Sequence, residues 1–114
     1  MAFWWKEVIE FALDFETRRH IADQRAWIAR EPQNPWPYQN LAQLYRTQGR
    51  QEEALGLLLE AVRLASDFAE AHAALAEIYA VRGDSRAAWE HARAAERNGQ
   101  PRSVELLRRY GVAE

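Results

Sequence analysis

Cysteine is absent from this chain of 114 residues, which excludes disulfides, thiolate catalysis and cysteine-ligated zinc together. Glycine and proline are scarce, at five and four, and alanine is abundant, a composition that describes a helix-rich chain. An excess of either charge is also missing. The 15 Lys and Arg nearly balance the 17 Asp and Glu, for a net charge of -2. That removes the concentrated positive field on which a non-specific nucleic-acid binder or a polybasic membrane anchor depends. Long apolar runs are lacking as well. The opening stretch, residues 1–15, carries Phe3, Trp4, Trp5, Val8, Ile9, Phe11 and Phe15, but Lys6, Glu7, Glu10 and Asp14 interrupt it. It falls short of the roughly 20 apolar residues of a membrane span. It also lacks the unbroken core and small-residue cleavage site of a secretory signal. The expected compartment is the cytoplasm. What remains is one domain's worth of chain, 48% hydrophobic and able to build a single core.

The chain repeats itself. Sliding it by 34 residues brings Leu41 onto Leu75, Ala42 onto Ala76, Tyr45 onto Tyr79 and Gly49 onto Gly83. Further along, Ala54 falls on Ala88, Ala61 on Ala95 and Arg63 on Arg97. Leu41, Ala42 and Tyr45 share one face of a helix, and Ala54 and Ala61, seven apart, mark a seam of a second. Gly49 lies between them, where a tight turn calls for a residue that tolerates positive φ. Each unit therefore reads as two antiparallel helices in which small alanines allow close approach and Leu41, Leu44, Tyr45 and Leu58 fill the space between.

Boundary residues agree. Asn34 can cap a helix with Pro35 in its first position. Asp67 with Glu70 resembles a capping box. Asp84 can cap the fourth helix, and Gly99 with Pro101 ends it. Helices are predicted at 35–48, 51–65, 68–82 and 85–98. A shorter one at 103–110, with Val104, Leu106, Leu107 and Tyr110, would cap the end.

The period, the Leu-Ala-x-x-Tyr run, the turn glycine and the paired alanines resemble the tetratricopeptide repeat family, over Pro35–Arg102. The resemblance implies an all-α, right-handed α-solenoid of helix-turn-helix repeats forming one domain over 1–114. Repeats would span 35–68 and 69–102, between an N-terminal helical segment (1–34) and a capping helix (103–110). Trp4, Phe11 and Pro32 fall where a further N-terminal repeat would place its aromatics and its terminal proline. Against that, His20 and Trp27 occupy the sites of Ala54 and Ala61, and no Gly or Pro occurs between Ala2 and Glu31. Residues 1–34 thus read either as a degenerate helix pair, broken near Asp14, or as one long helix. In both, Ile21 and Ile28 pack on the first full repeat.

No chemistry-bearing constellation emerges. His20, His72 and His91 lack metal-ligand spacing, and Ser66, Ser85 and Ser103 sit at predicted helix boundaries. The sequence points to a non-enzyme with no metal and no cofactor. Arg18, Arg19, Arg25 and Arg30, and Arg102, Arg108 and Arg109 at the other end, are interleaved with acids or lack stacking aromatics between them. A nucleic-acid surface is not the expected reading.

The resemblance implies instead a concave groove lined by the first helix of each repeat, holding a protein or peptide partner. By position it would carry Trp36, Gln39, Asn40, Gln43 and Arg46, then Glu70, Ala73, Glu77 and Ala80, then Leu107 and Arg108 from the cap. The carboxylate clamp of some family members is not reproduced, because Gln39, Gln43 and Ala74 stand at its positions. The face is amide-rich with acidic spots, suited to backbone hydrogen bonds and a partly cationic peptide. The alternative is a structural assembly module, homo-oligomeric through Phe3, Trp4 and Trp5, since three successive aromatics cannot all face one side of a helix. Peripheral membrane contact through the same segment is the weaker third reading.

Overall fold

The computed structural model describes residues 2–114, with side chains from Trp5 onward. Six helices follow one another: α1 (Ala2–Arg30), α2 (Pro35–Thr47), α3 (Gln51–Leu64), α4 (Ala69–Val81), α5 (Ser85–Arg97) and α6 (Arg102–Arg109). Among the described residues there is no strand. Helices α2 and α3 form one hairpin and α4 and α5 a second. Helix α3 packs on α4, α6 closes the stack against α4 and α5, and α1 lies along α2. The result is an elongated helical solenoid of 51 × 37 × 22 Å.

Local signals act where the sequence puts them. The Asn34 side chain accepts the Trp36 backbone N–H at 3.0 Å, with Pro35 opening α2. Asp84 does the same for Ala87 at 3.1 Å on α5. Gly49 and Gly83 adopt φ of 74° and 82° after α2 and α4. The chain then turns back so that Arg50 N–H and Asp84 N–H reach the carbonyls of Tyr45 and Tyr79, each at 2.9 Å. Asp67 behaves differently from the capping-box expectation. Phe68 occupies the cap position of α4 without a side-chain bond, and Asp67 lies in the preceding turn. The buried Phe68 ring, held against Trp36, fixes that entry instead.

Repeat-equivalent residues share burial. Leu41 and Leu75, Ala42 and Ala76, Ala54 and Ala88, and Ala61 and Ala95 are all buried. Leu58 and Leu75 are among the largest side chains fully enclosed. One cluster joins α1 to α4 through Ile21, Leu41, Tyr45, Ala54, Leu58 and Leu75. A second joins α4, α5 and α6 through Ala76, Ala88, Trp89, Ala92, Val104 and Leu107. Tyr79 packs on both. The C-terminal tail is tied down by Trp89, whose indole N–H donates to the Val112 carbonyl at 3.1 Å.

Residues 2–30 form a single helix, with no interruption near Asp14. Ile21 is buried and Ile28 half-buried against the first repeat. The two bulky residues at the alanine sites have a simple explanation. Because α1 is continuous, its first half does not fold back onto that seam, so close approach is not required there. His20 is exposed, and Trp27 directs its indole N–H to Glu31 at 2.6 Å. No helix of the described residues is long and apolar enough to cross a membrane.

Candidate protein-interaction face

Helices α2, α4 and α6 lie side by side, and three features run across them. At the end where α2 and α4 begin, the exposed Trp36 ring sits 4.7 Å from Phe68. A polar recess beside it is bounded by Asp67, Glu70, Asn98 and Gln100, with Gln100 donating to Glu70 at 3.4 Å. At the opposite end Arg46 of α2 reaches Glu77 of α4 at 3.1 Å, while also donating to Gln43 at 3.4 Å. Beyond Glu77 a recess of about 330 Å³ opens between α4 and α6, floored by Ala76, Ala80 and Leu107 and rimmed by Val81, Leu106 and Tyr110. Val81 and Tyr110 are 90% and 75% exposed. Two such side chains beside an ion pair form an apolar patch with a charged edge.

The residues expected in the groove divide by what they do. Trp36 and Glu77 are exposed and Arg46 is partly so; Arg46 bridges α2 to Glu77 of α4, and Trp36 meets Phe68 at the start of α4. Glu70 is engaged with Gln100 and Gln43 with Arg46. Ala73 is half-buried, and Arg108 is exposed on α6. Asn40 instead donates to Gln24 of α1 at 3.2 Å, joining the N-terminal helix to the first repeat. Leu107 is buried in the second cluster, because α6 turns its apolar side onto α4 and α5 as a cap must; it forms the floor of the recess rather than its rim. Gln39 is partly buried, and its Oε1 is enclosed without a hydrogen-bond donor among the described residues.

Of the N-terminal aromatics, Phe3 and Trp4 have side chains outside the described residues, and Trp5 is 62% exposed. Farther along α1, Arg18, Arg19 and Arg25 are engaged by neighbours. Arg18 pairs with Asp14, Arg19 with Glu16 at 3.5 Å, and Arg25 donates to the Tyr45 hydroxyl at 3.1 and 2.5 Å.

One pairing escaped the sequence reading. His72 Nδ1 and His91 Nδ1 lie 3.0 Å apart between α4 and α5, and His72 Nε2 lies 2.8 Å from the Ser66 carbonyl. A carbonyl only accepts, so His72 carries its proton on Nε2 and its Nδ1 accepts from His91 Nδ1–H. His91 also stacks flat on Tyr79, with ring centroids 5.6 Å apart. Burial, and then the nearby His72, hold the His91 pKa below the ordinary histidine value. A signal was available: the equivalents in the first repeat are Tyr38 and Leu57, which both pack on the first cluster. Among the described residues no group of three ligating side chains could hold a metal ion.

No curated protein matches the chain. The family model for the tetratricopeptide repeat matches residues 16–95, from the middle of α1 to the end of the second hairpin. The match takes in the half of α1 that packs on the first repeat through Ile21, Gln24, Arg25 and Ile28, so this half stands where the second helix of a preceding repeat would stand. These repeats serve in general as non-enzymatic protein-interaction modules. With well over half of its length matched, and its described helices stacked as two hairpins between α1 and the cap α6, the chain belongs to the tetratricopeptide repeat family.

Proposed function

We propose that the protein is a non-enzymatic adaptor that holds an extended segment of a partner protein across α2, α4 and α6. The recess between α4 and α6 is the observation that carries this reading. It is an open apolar hollow, bounded by Ala80, Val81, Leu106 and Tyr110, directly beside Glu77. A partner residue with an aliphatic or aromatic side chain fills it. A neighbouring Lys or Arg meets Glu77, which is half-exposed even while paired with Arg46. Shape and charge thus select an apolar residue flanked by a cation, carried on an otherwise unspecialised segment. The test is a random peptide library displayed on phage and selected on the immobilised chain. Enriched peptides are expected to share an apolar anchor next to a basic residue. Their affinity is expected to fall about tenfold or more with Ala80→Glu, which fills the recess with charge, and to be unchanged by Arg86→Glu on the exposed side of α5. Peptides bound equally by both variants would refute the site.

A second reading, assembly of copies through the N-terminal segment, is favoured by the row of exposed apolar side chains on the first half of α1: Val8, Ile9, Phe11, Leu13 and Phe15.

A further inference from the structure

Resting on that second reading, we infer that residues 5–15 of α1 form an antiparallel, two-fold interface with the same residues of a second copy of this chain. The placement of side chains around the helix carries the inference. At about 100° per residue, Val8, Ile9, Phe11, Ala12, Leu13 and Phe15 occupy one continuous arc of roughly 200°. Lys6, Glu7, Glu10 and Asp14 fill the remainder. In the second half of the same helix, Ile21, Gln24 and Ile28 hold α1 to the first repeat. Those three lie roughly opposite the centre of the apolar arc. The arc therefore faces away from the chain's own solenoid, and no part of that solenoid can cover it without breaking α1.

Phe11 and Phe15 are 71% and 60% exposed. Together with Val8, Ile9 and Leu13 they offer on the order of 500 Å² of apolar surface per copy. A symmetric pair would bury at most about 1,000 Å² in all, the size at which specific interfaces begin. Charge selects the occupant. The polar side of the segment is acidic, which opposes the anionic membrane surface that interfacial helices with Lys and Arg favour.

Orientation follows from what comes next along the arc. Beyond Phe15 it is occupied by Glu16, Arg19 and Asp23. A parallel pair would set Arg19 against Arg19 of the second copy and Asp23 against Asp23. An antiparallel pair centred near residue 10 overlaps only the apolar stretch, with Val8 facing Ala12 of the other copy.

The absence of cysteine makes the test direct. Light scattering over a range of concentrations is expected to approach twice 13.2 kDa for the intact chain. The double variant Phe11→Glu, Phe15→Glu is expected to stay near 13.2 kDa with unchanged helical circular dichroism. A spin label on Ala29→Cys, on an exposed part of α1, then reports orientation by electron–electron resonance. Two labels roughly 55–60 Å apart support the antiparallel pair. A dimer with labels within about 20 Å overturns the antiparallel arrangement and leaves self-assembly standing. A dimer that the double variant preserves overturns the interface. A chain that stays monomeric overturns both the inference and the reading beneath it. A monomer that pellets with phosphatidylcholine vesicles through Phe11 and Phe15 overturns both in favour of a membrane.

Discussion

His72 and His91 face one another across the second hairpin with their Nδ1 atoms 3.0 Å apart, joined by a single proton that His91 donates. Burial and the neighbouring His72 ring make a charge on His91 unfavourable there. The unfolded chain therefore binds a proton at His91 at a higher pH than the folded chain does, because burial and His72 lower the folded value. Stability contributed here is complete above the ordinary histidine range and is lost as pH falls through it toward the lowered value. Denaturant titrations at pH 8 and pH 5 are expected to show a steeper acid loss for the parent than for His91→Gln. An equal loss in the two chains would dissociate His91 from the acid response.

The seam alanines test the repeat packing. Ala54 and Ala88 are wholly enclosed between paired helices. Replacing either by Trp overpacks the contact and is expected to cost on the order of 1–3 kcal/mol or more. A urea midpoint equal to the parent's would contradict the helix pairing.

Glycines in two settings should respond with opposite signs. Gly83 has φ of 82° and open space around a would-be Cβ, so Gly83→Ala is expected to destabilise by about 1 kcal/mol through backbone strain alone. Gly56 lies inside α3 at an exposed position with equally open space. There Gly56→Ala is expected to stabilise by about 0.5–1 kcal/mol. Thermal melts of the two variants should move in opposite directions.

How much of this was legible beforehand depends on which interactions are periodic. Leu41 with Leu75 and Ala54 with Ala88 occupy equivalent environments, so the repeat exposed them and fixed the hairpins. The Asp67 cap was misread because Asp followed by Glu three residues on is a local pattern, whereas the entry into α4 is set by Phe68 meeting Trp36 from the neighbouring repeat. His20 and Trp27 argued against a close helix pair, and the structure shows why they stand: α1 runs on as one helix, so its first half does not fold back to crowd them. The pairing of Arg46 with Glu77 spans 31 positions and depends on how two hairpins stack. Spacing along one helix carries no such information.

Arg25 and Tyr45 connect α1 to the first repeat, the guanidinium donating to the hydroxyl. Tyr45→Phe removes the acceptor and keeps the ring in its buried place. It is expected to cost about 0.5–1.5 kcal/mol and to raise hydrogen exchange in the second half of α1 more than in α5. Uniform acceleration along the chain would show that the bond does not act on α1 in particular.

The face formed by α2, α4 and α6 is tested most directly by amide chemical-shift mapping of the intact chain with a library-selected peptide. The largest changes are expected at Glu77, Ala80, Val81, Leu106 and Tyr110, around the recess, with α3 and the outer side of α5 unmoved. Shifts centred on Leu59, Arg63 and Arg86 instead would contradict it.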